Sequence, residues 1–348
     1  MSETVTPATS HAMTMQIPPE VAKQIEAEQK ANNGTMSASE IRDIMAAQAL
    51  LDSRSAPSVI LEGEMGSGKT HALRSLLIDK DGKFDGPSVS GIEYVFMINH
   101  EGGFEDVLGD IPASKLGWFY LPASEGSFAG LQAMVRTINT QHPDVIQKMG
   151  GINKHLYPEF DKLLGLCNEL VDQRTGKKLG PVFNLPANWC LWYESISALS
   201  EIAKNNAIGD KPFMELRDYQ MVQNPIRKFL NHLVFNTKCL FVATAHLERE
   251  TNESNFQQEL TISTVGRKLG PLLPRFFSDV IITERVDDLG TNQQYTSKFL
   301  WHTVKPGVRT KTRNLPWAQN LKPDFTPLLK NFRERQLKGK GPQAQPAA

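Results

Sequence analysis

The sequence predicts an α/β fold with a mainly parallel central sheet flanked by helices. Short apolar, β-branched runs alternate with stretches of helical periodicity between residues 58 and 284, the pattern of strands joined by crossover helices. The first apolar run leads into a glycine-rich turn, GEMGSGKT, that opens a helix. The second ends abruptly on INHEGG, with a carboxylate at a strand tip. In a parallel sheet that is where ligands bind.

Taken in order, Ser37 and Glu40 have capping-box spacing before IRDIMAAQALL, a predicted helix. SVILEG (58–63) reads as a buried strand and THALRSLLID (70–79) as the helix after it. YVFMI (94–98) is the second strand and GWFYLPA (117–123) the third, followed by the helical FAGLQAMVRTIN. WCLWYES (189–195) is a fourth strand, leading into SISALSEIA, a helix. Ile226, Phe229, Leu230 and Leu233 share one helical face, before a fifth strand, CLFVATAH (239–246), and a sixth, DVIITE (279–284). Residues 141–187 interrupt this rhythm and read as an insertion packed on the core, with a helix near FDKLLGLCNELV and a turn or hairpin at DQRTGKKLG. The organisation expected is a flexible arm over 1–35, an α/β domain over 36–318 with its insertion at about 141–187, and an extension ending in a flexible tail over 319–348.

With 348 residues and 40% hydrophobic content, the chain can bury a substantial core. Lys+Arg and Asp+Glu both number 38, so bulk charge does not argue for a polyanion partner. The cysteines, Cys167, Cys190 and Cys239, lack metal-ligand spacing and fit buried thiols in a reducing compartment. No run is long and apolar enough for a membrane span, and the N-terminus lacks the basic start and apolar core of a signal peptide, so a cytoplasmic location is expected.

GEMGSGKT matches the G-x-x-x-x-G-K-[ST] pattern in its required strand–turn–helix setting. The backbone of Gly63, Glu64, Met65, Gly66, Ser67 and Gly68 can curl its N–H groups toward phosphate oxygens. Lys69 would reach the β and γ phosphates, and the Thr70 hydroxyl would ligate Mg²⁺. The implied ligands are therefore ATP and Mg²⁺. An acid at the end of another buried strand completes the metal site, and Glu194 is expected there with Ser195 as a helper. Glu101 leaves its strand at the same sheet edge, placed to polarise a water for attack on the γ-phosphate.

The order of these segments resembles the RecA-like P-loop ATPases. In that family the acid after the second strand is the catalytic glutamate, which maps to Glu101. A polar γ-phosphate sensor ends the strand after the metal acid. It falls on Thr244 or His246, of which His246 is taken here. A closer resemblance is to phage-encoded ATPases grouped with Sak-type single-strand annealing proteins. It is carried by AHLERE (245–250), GRKLGPLLPRFFSDV (266–280) and KTRNLP (311–316), and covers about residues 55–318. Glu194 in place of aspartate and His246 in place of glutamine depart from the family pattern; both leave hydrolysis plausible and its efficiency open. The resemblance implies a homo-oligomeric ring or filament in which Lys311 and Arg313 complete a neighbour's nucleotide site. It also implies that the polar, periodless segment 247–265, with Arg249, Phe256, Arg267 and Lys268 nearby or within it, contacts single-stranded DNA. Coupling to a protein partner, a small-molecule kinase and a non-hydrolysing nucleotide-binding module are the alternatives.

Overall fold

The computed structural model describes residues 56–123, 128–148, 154–251, 258–289 and 295–339, all within one compact unit. The arm, the helix expected after Ser37, Phe256 and the end of the tail lie outside the described residues. β1 (Ser58–Gly63) leads through the glycine loop to a 3-10 turn (Thr70–Leu73) and α1 (Arg74–Leu77). β2 (Tyr94–Asn99), α2 (Glu105–Leu108), β3 (Leu116–Tyr120) and α3 (Phe128–Thr140) follow. The expected insertion contains α4 (Pro143–Lys148), α5 (Glu159–Asn168) and a small hairpin, β4 (Leu170–Val171) with β5 (Lys178–Gly180). Then come β6 (Trp189–Glu194), α6 (Ile196–Ile208), α7 (Leu216–Asn236), β7 (Leu240–Thr251), β8 (Gln258–Ile262), β9 (Asp279–Leu289), β10 (Tyr295–His302) and α8 (Phe325–Gly339).

The main sheet runs β10-β9-β1-β7-β6-β2-β3, with β8 attached to β7. Every pairing from β9 to β3 is parallel, and only β10 and β8 run against their neighbours. Both faces are covered, which is why the strands read as near-continuous apolar runs. Ile60 of β1 faces a core shared with Leu199 of α6, Ile226 of α7 and Leu163 of α5. Val59 and Leu61 point the other way, toward Leu73, Leu76 and Phe325. The insertion joins the first of these cores through Phe160, Leu163, Leu170 and Val182, as expected of a segment packed on the domain.

Three stretches depart from the sequence expectation. Segment 247–265 is not without secondary structure: β7 continues past the sheet and pairs with β8 from Leu247↔Ile262 to Thr251↔Gln258. The helix after the glycine loop is shorter than 70–79 and begins as a 3-10 turn. The ordered core extends beyond residue 318, because Phe325, Leu328 and Leu329 of α8 are buried against the sheet, and the helix runs through Gln336 to Gly339.

Two downstream segments, FFSDV and KTRNLP, meet in a buried polar knot. Asp279 opens β9 and is fully buried. Its carboxylate accepts the Thr312 hydroxyl at 3.0 Å, the backbone N–H of Arg313 at 2.9 Å, that of Asn314 at 3.0 Å, and the Asn314 amide. Asn314 in turn accepts from Arg335 of α8, and its carbonyl accepts Asn331 Nδ2 at 2.9 Å. One carboxylate thus ties β9, the KTRNLP segment and, through Asn314, α8 together. Hydrogen bonds to a charged group are worth about 1.5–3 kcal/mol each, and leaving their donors buried and unpaired costs more. Asp279→Ala is expected to destabilise the fold by at least about 3 kcal/mol. The urea midpoint should fall accordingly with an unchanged slope.

Candidate functional site

The parallel register brings four strand ends to one rim. Gly63 lies beside His246, and Asn99 beside Glu194. Beyond β1 the chain turns through Gly66 and Gly68, both in the left-handed region that disfavours other residues. Gly68 is also pinned from above, since a Cβ there would meet the Phe299 ring at 2.4 Å. Phe299 of β10 lies 5.1 Å from the His71 ring, so the outer hairpin lies over the loop. Ser67 and Thr283 share a hydrogen bond of 2.7 Å, and the Thr283 hydroxyl donates to the Glu62 carbonyl at 3.2 Å.

Lys69 is nearly fully buried and turns back on its own loop. Its ammonium donates to the carbonyls of Gly63 at 3.0 Å and Glu64 at 2.9 Å, and approaches His246 Nδ1 at 3.4 Å. Burial lowers its pKa, and the charges of Glu194 and Glu101 oppose that shift.

The next residue, Thr70, donates its hydroxyl to Glu194 Oε1 at 2.5 Å. Trp192 Nε1 holds the other Glu194 oxygen at 2.9 Å. Trp192 stands two residues earlier on the same strand and so faces the same way. Burial raises the Glu194 pKa against the opposing pull of Thr70, Trp192 and Lys69. A hydroxyl and a carboxylate in contact are oxygen donors of the kind Mg²⁺ takes when phosphates and waters supply the remaining ligands, so the pair fits that ion. No group of three or more His, Cys, Asp or Glu side chains forms a metal cage among the described residues.

Glu101 completes the rim. His246 Nε2 meets its Oε2 at 2.7 Å, and Ser195 donates to its Oε1. A lysine ammonium only donates, so the His246 Nδ1 that faces Lys69 is the acceptor, and the ring proton sits on Nε2, directed at Glu101. The Glu101 backbone is held by Asn99, whose Oδ1 accepts its N–H at 3.1 Å and whose Nδ2 donates to its carbonyl at 2.6 Å. Burial would raise the Glu101 pKa, but the bonds from His246 and Ser195 and the Lys69 charge outweigh it and leave the group below its ordinary value. An ionised, oriented carboxylate beside a lysine and a threonine–glutamate pair is an arrangement able to bind an anion with its cation and to accept a proton.

The structure therefore brings Lys69, Thr70, Glu194, Glu101 and His246 together with Gly63–Gly68. Ser195 follows Glu194 in the chain, and its hydroxyl serves Glu101 and the N-terminus of α6, where it accepts the Ala198 N–H at 3.2 Å. Thr244 faces the same side of the sheet as Leu61, fully buried, and among the described residues its hydroxyl has no partner. Lys311 and Arg313 are not part of this cluster within the chain. They sit by Asp279 and Val280 at the opposite end of β1, about 13 Å along the strand from Gly63. The Asp279 knot fixes them there, and Lys311 donates to the Phe277 carbonyl at 2.6 Å. Trp192, Asn99, Thr283 and Phe299 went unread in the sequence. Alternation from Glu194 and Glu101 back by two residues was the signal available for the first two.

Comparison with protein-family models and with curated proteins finds no match.

His100, beside Glu101, packs inward. Its Nδ1–H donates to the Leu121 carbonyl at 2.7 Å, so Nε2 accepts the Tyr193 hydroxyl at 2.8 Å. Burial, opposed by the Leu121 bond and the Glu101 charge, pushes its pKa down from 6.5 to about 4. The unfolded chain binds this proton below about 6.5 and the folded chain only below about 4, so stability falls as pH drops through that window, by about 3 kcal/mol. Urea unfolding between pH 7 and 4 should show a shallower loss in His100→Asn than in the unaltered chain.

Proposed function

We propose that the chain is a Mg²⁺-dependent ATPase with a RecA-like P-loop fold. The observation that carries the reading is the convergence, on one sheet edge, of a glycine loop with its lysine, a threonine–glutamate pair and a clamped second glutamate. The strand order supports it: β7 separates the loop strand β1 from the Glu194 strand β6, and the Glu101 strand β2 lies beyond. Thr70 and Glu194 would hold Mg²⁺, which when bound neutralises charge on the phosphate oxygens. Lys69 exchanges its loop carbonyls for phosphate oxygens. Glu101 orients a water and takes its proton, with His246 relaying the state of the lysine site to that carboxylate.

The resemblance in the downstream segments extends the reading to phage DNA metabolism, with single-stranded DNA contacted by the β7–β8 hairpin in a ring or filament. A protein partner in a phage replication or packaging assembly is the second reading. It is favoured by zero net charge and by the acids Glu248, Glu250 and Glu259 on that hairpin, against the basic Arg249.

Phosphate release from ATP tests the first step. Lys69→Ala should reduce it to background. Glu101→Gln should lower it by about 10²–10⁴-fold while nucleotide binding persists. Release of no phosphate despite tight ATP binding would leave a non-hydrolysing module, and a phosphorylated acceptor would mark a kinase. Stimulation by single-stranded DNA at low salt is expected for the DNA reading, and its absence with stimulation by a protein fraction for the other.

A further inference from the structure

Glu194 differs from the aspartate of the RecA-like pattern by one methylene, about 1.5 Å of reach. Its buried carboxylate is bonded at both oxygens: Oε1 accepts the Thr70 hydroxyl at 2.5 Å, and Oε2 accepts the Trp192 indole N–H at 2.9 Å. Trp192 is fully buried, two residues earlier on β6 and so on the same face of the strand. Its ring meets Phe325 of α8 edge to face, with centroids 6.1 Å apart, and Phe325 in turn packs on Trp301 at 4.9 Å. The indole is therefore held from behind by the C-terminal helix.

An indole N–H only donates and carries no charge, so it can fix one carboxylate oxygen without competing as a cation. A glutamate has more rotamer freedom to lose than an aspartate, and a bond at Oε2 removes much of it. It leaves Oε1, beside the Thr70 hydroxyl, as the edge turned to the glycine loop. An aspartate carboxylate, drawn back by one methylene, could not keep both contacts without a shift of the strand. We propose that Trp192 is a positioning residue for the Mg²⁺ site: its N–H locks Glu194 Oε2, so that Oε1 and Thr70 face the ion in one orientation, and this lets a glutamate serve where an aspartate is usual. The identity of the ion rests on the ATPase reading above, and the role of the indole on the contacts just described.

The test is binding, not turnover. The probe is the N-methylanthraniloyl derivative of adenylyl imidodiphosphate, which is not hydrolysed, titrated into the full chain with Mg²⁺ and with EDTA. Mg²⁺ should tighten its binding to the unaltered chain. Trp192→Phe should cut that enhancement by about tenfold or more, the range for residues that orient a metal ligand, while affinity in EDTA changes less than about twofold. Glu194→Asp should cut it similarly, and the double variant no further than either single one, because each breaks the same bond. If removing the indole unfolds the chain, the unaltered protein decides by NMR. Of its five tryptophan indole N–H signals, the one displaced by Glu194→Asp should also be the one that moves most when Mg²⁺ joins the nucleotide complex. An enhancement untouched by Trp192→Phe, a folded Trp192→Phe that loses affinity equally with and without metal, losses that add in the double variant, or a Trp192 signal that ignores Mg²⁺ overturns the role of Trp192 alone. No Mg²⁺ enhancement in the unaltered chain overturns the ATPase reading and this proposal with it.

Discussion

The parallel register of β1, β7, β6 and β2 is the constraint from which the rest follows. It places Gly63 next to His246 and Asn99 next to Glu194, so that residues distant in sequence end at one rim without further adjustment. A slip of one residue in any of these pairings would turn Glu194 or His246 to the opposite face of the sheet. The register is secured by burial on both faces, by Leu61, Val242 and Met97 on one side and Ile60, Phe241 and Ile98 on the other.

What the sequence made legible were features that depend on chain direction and period alone. The buried strands were readable because both faces are covered, Lys69 and Thr70 from the glycine-loop pattern, and Glu101 and Glu194 because each sits at or just past a strand end. The β7–β8 hairpin was not, because LERET carries no apolar alternation: beyond the sheet its side chains no longer have a core to face. The helix α8 was hidden by a polar composition in which only Phe325, Leu328 and Leu329 mark a buried stripe. Ser195 was given to the metal because proximity in sequence does not reveal which carboxylate its hydroxyl meets.

Lys311 and Arg313 show a different limit. A basic side chain advertises charge, whereas the segment's visible role is played by main-chain N–H groups and by Thr312 and Asn314, all directed at Asp279. This knot and the rim site occupy opposite ends of β1, one securing the start of the strand and the other using its end.

The posture of Lys69 has a consequence for selectivity. Its ammonium has three N–H bonds, and three acceptors surround it: two carbonyls of its own loop and one imidazole nitrogen. The crevice therefore presents no bare positive charge to passing ions. Chloride or a lone carboxylate offers too little to draw the side chain away from partners it already has, while a polyphosphate offers several oxygens at once. On the proposed reading, discrimination against small spectator anions would be set by the resting loop, ahead of any contact with a nucleobase.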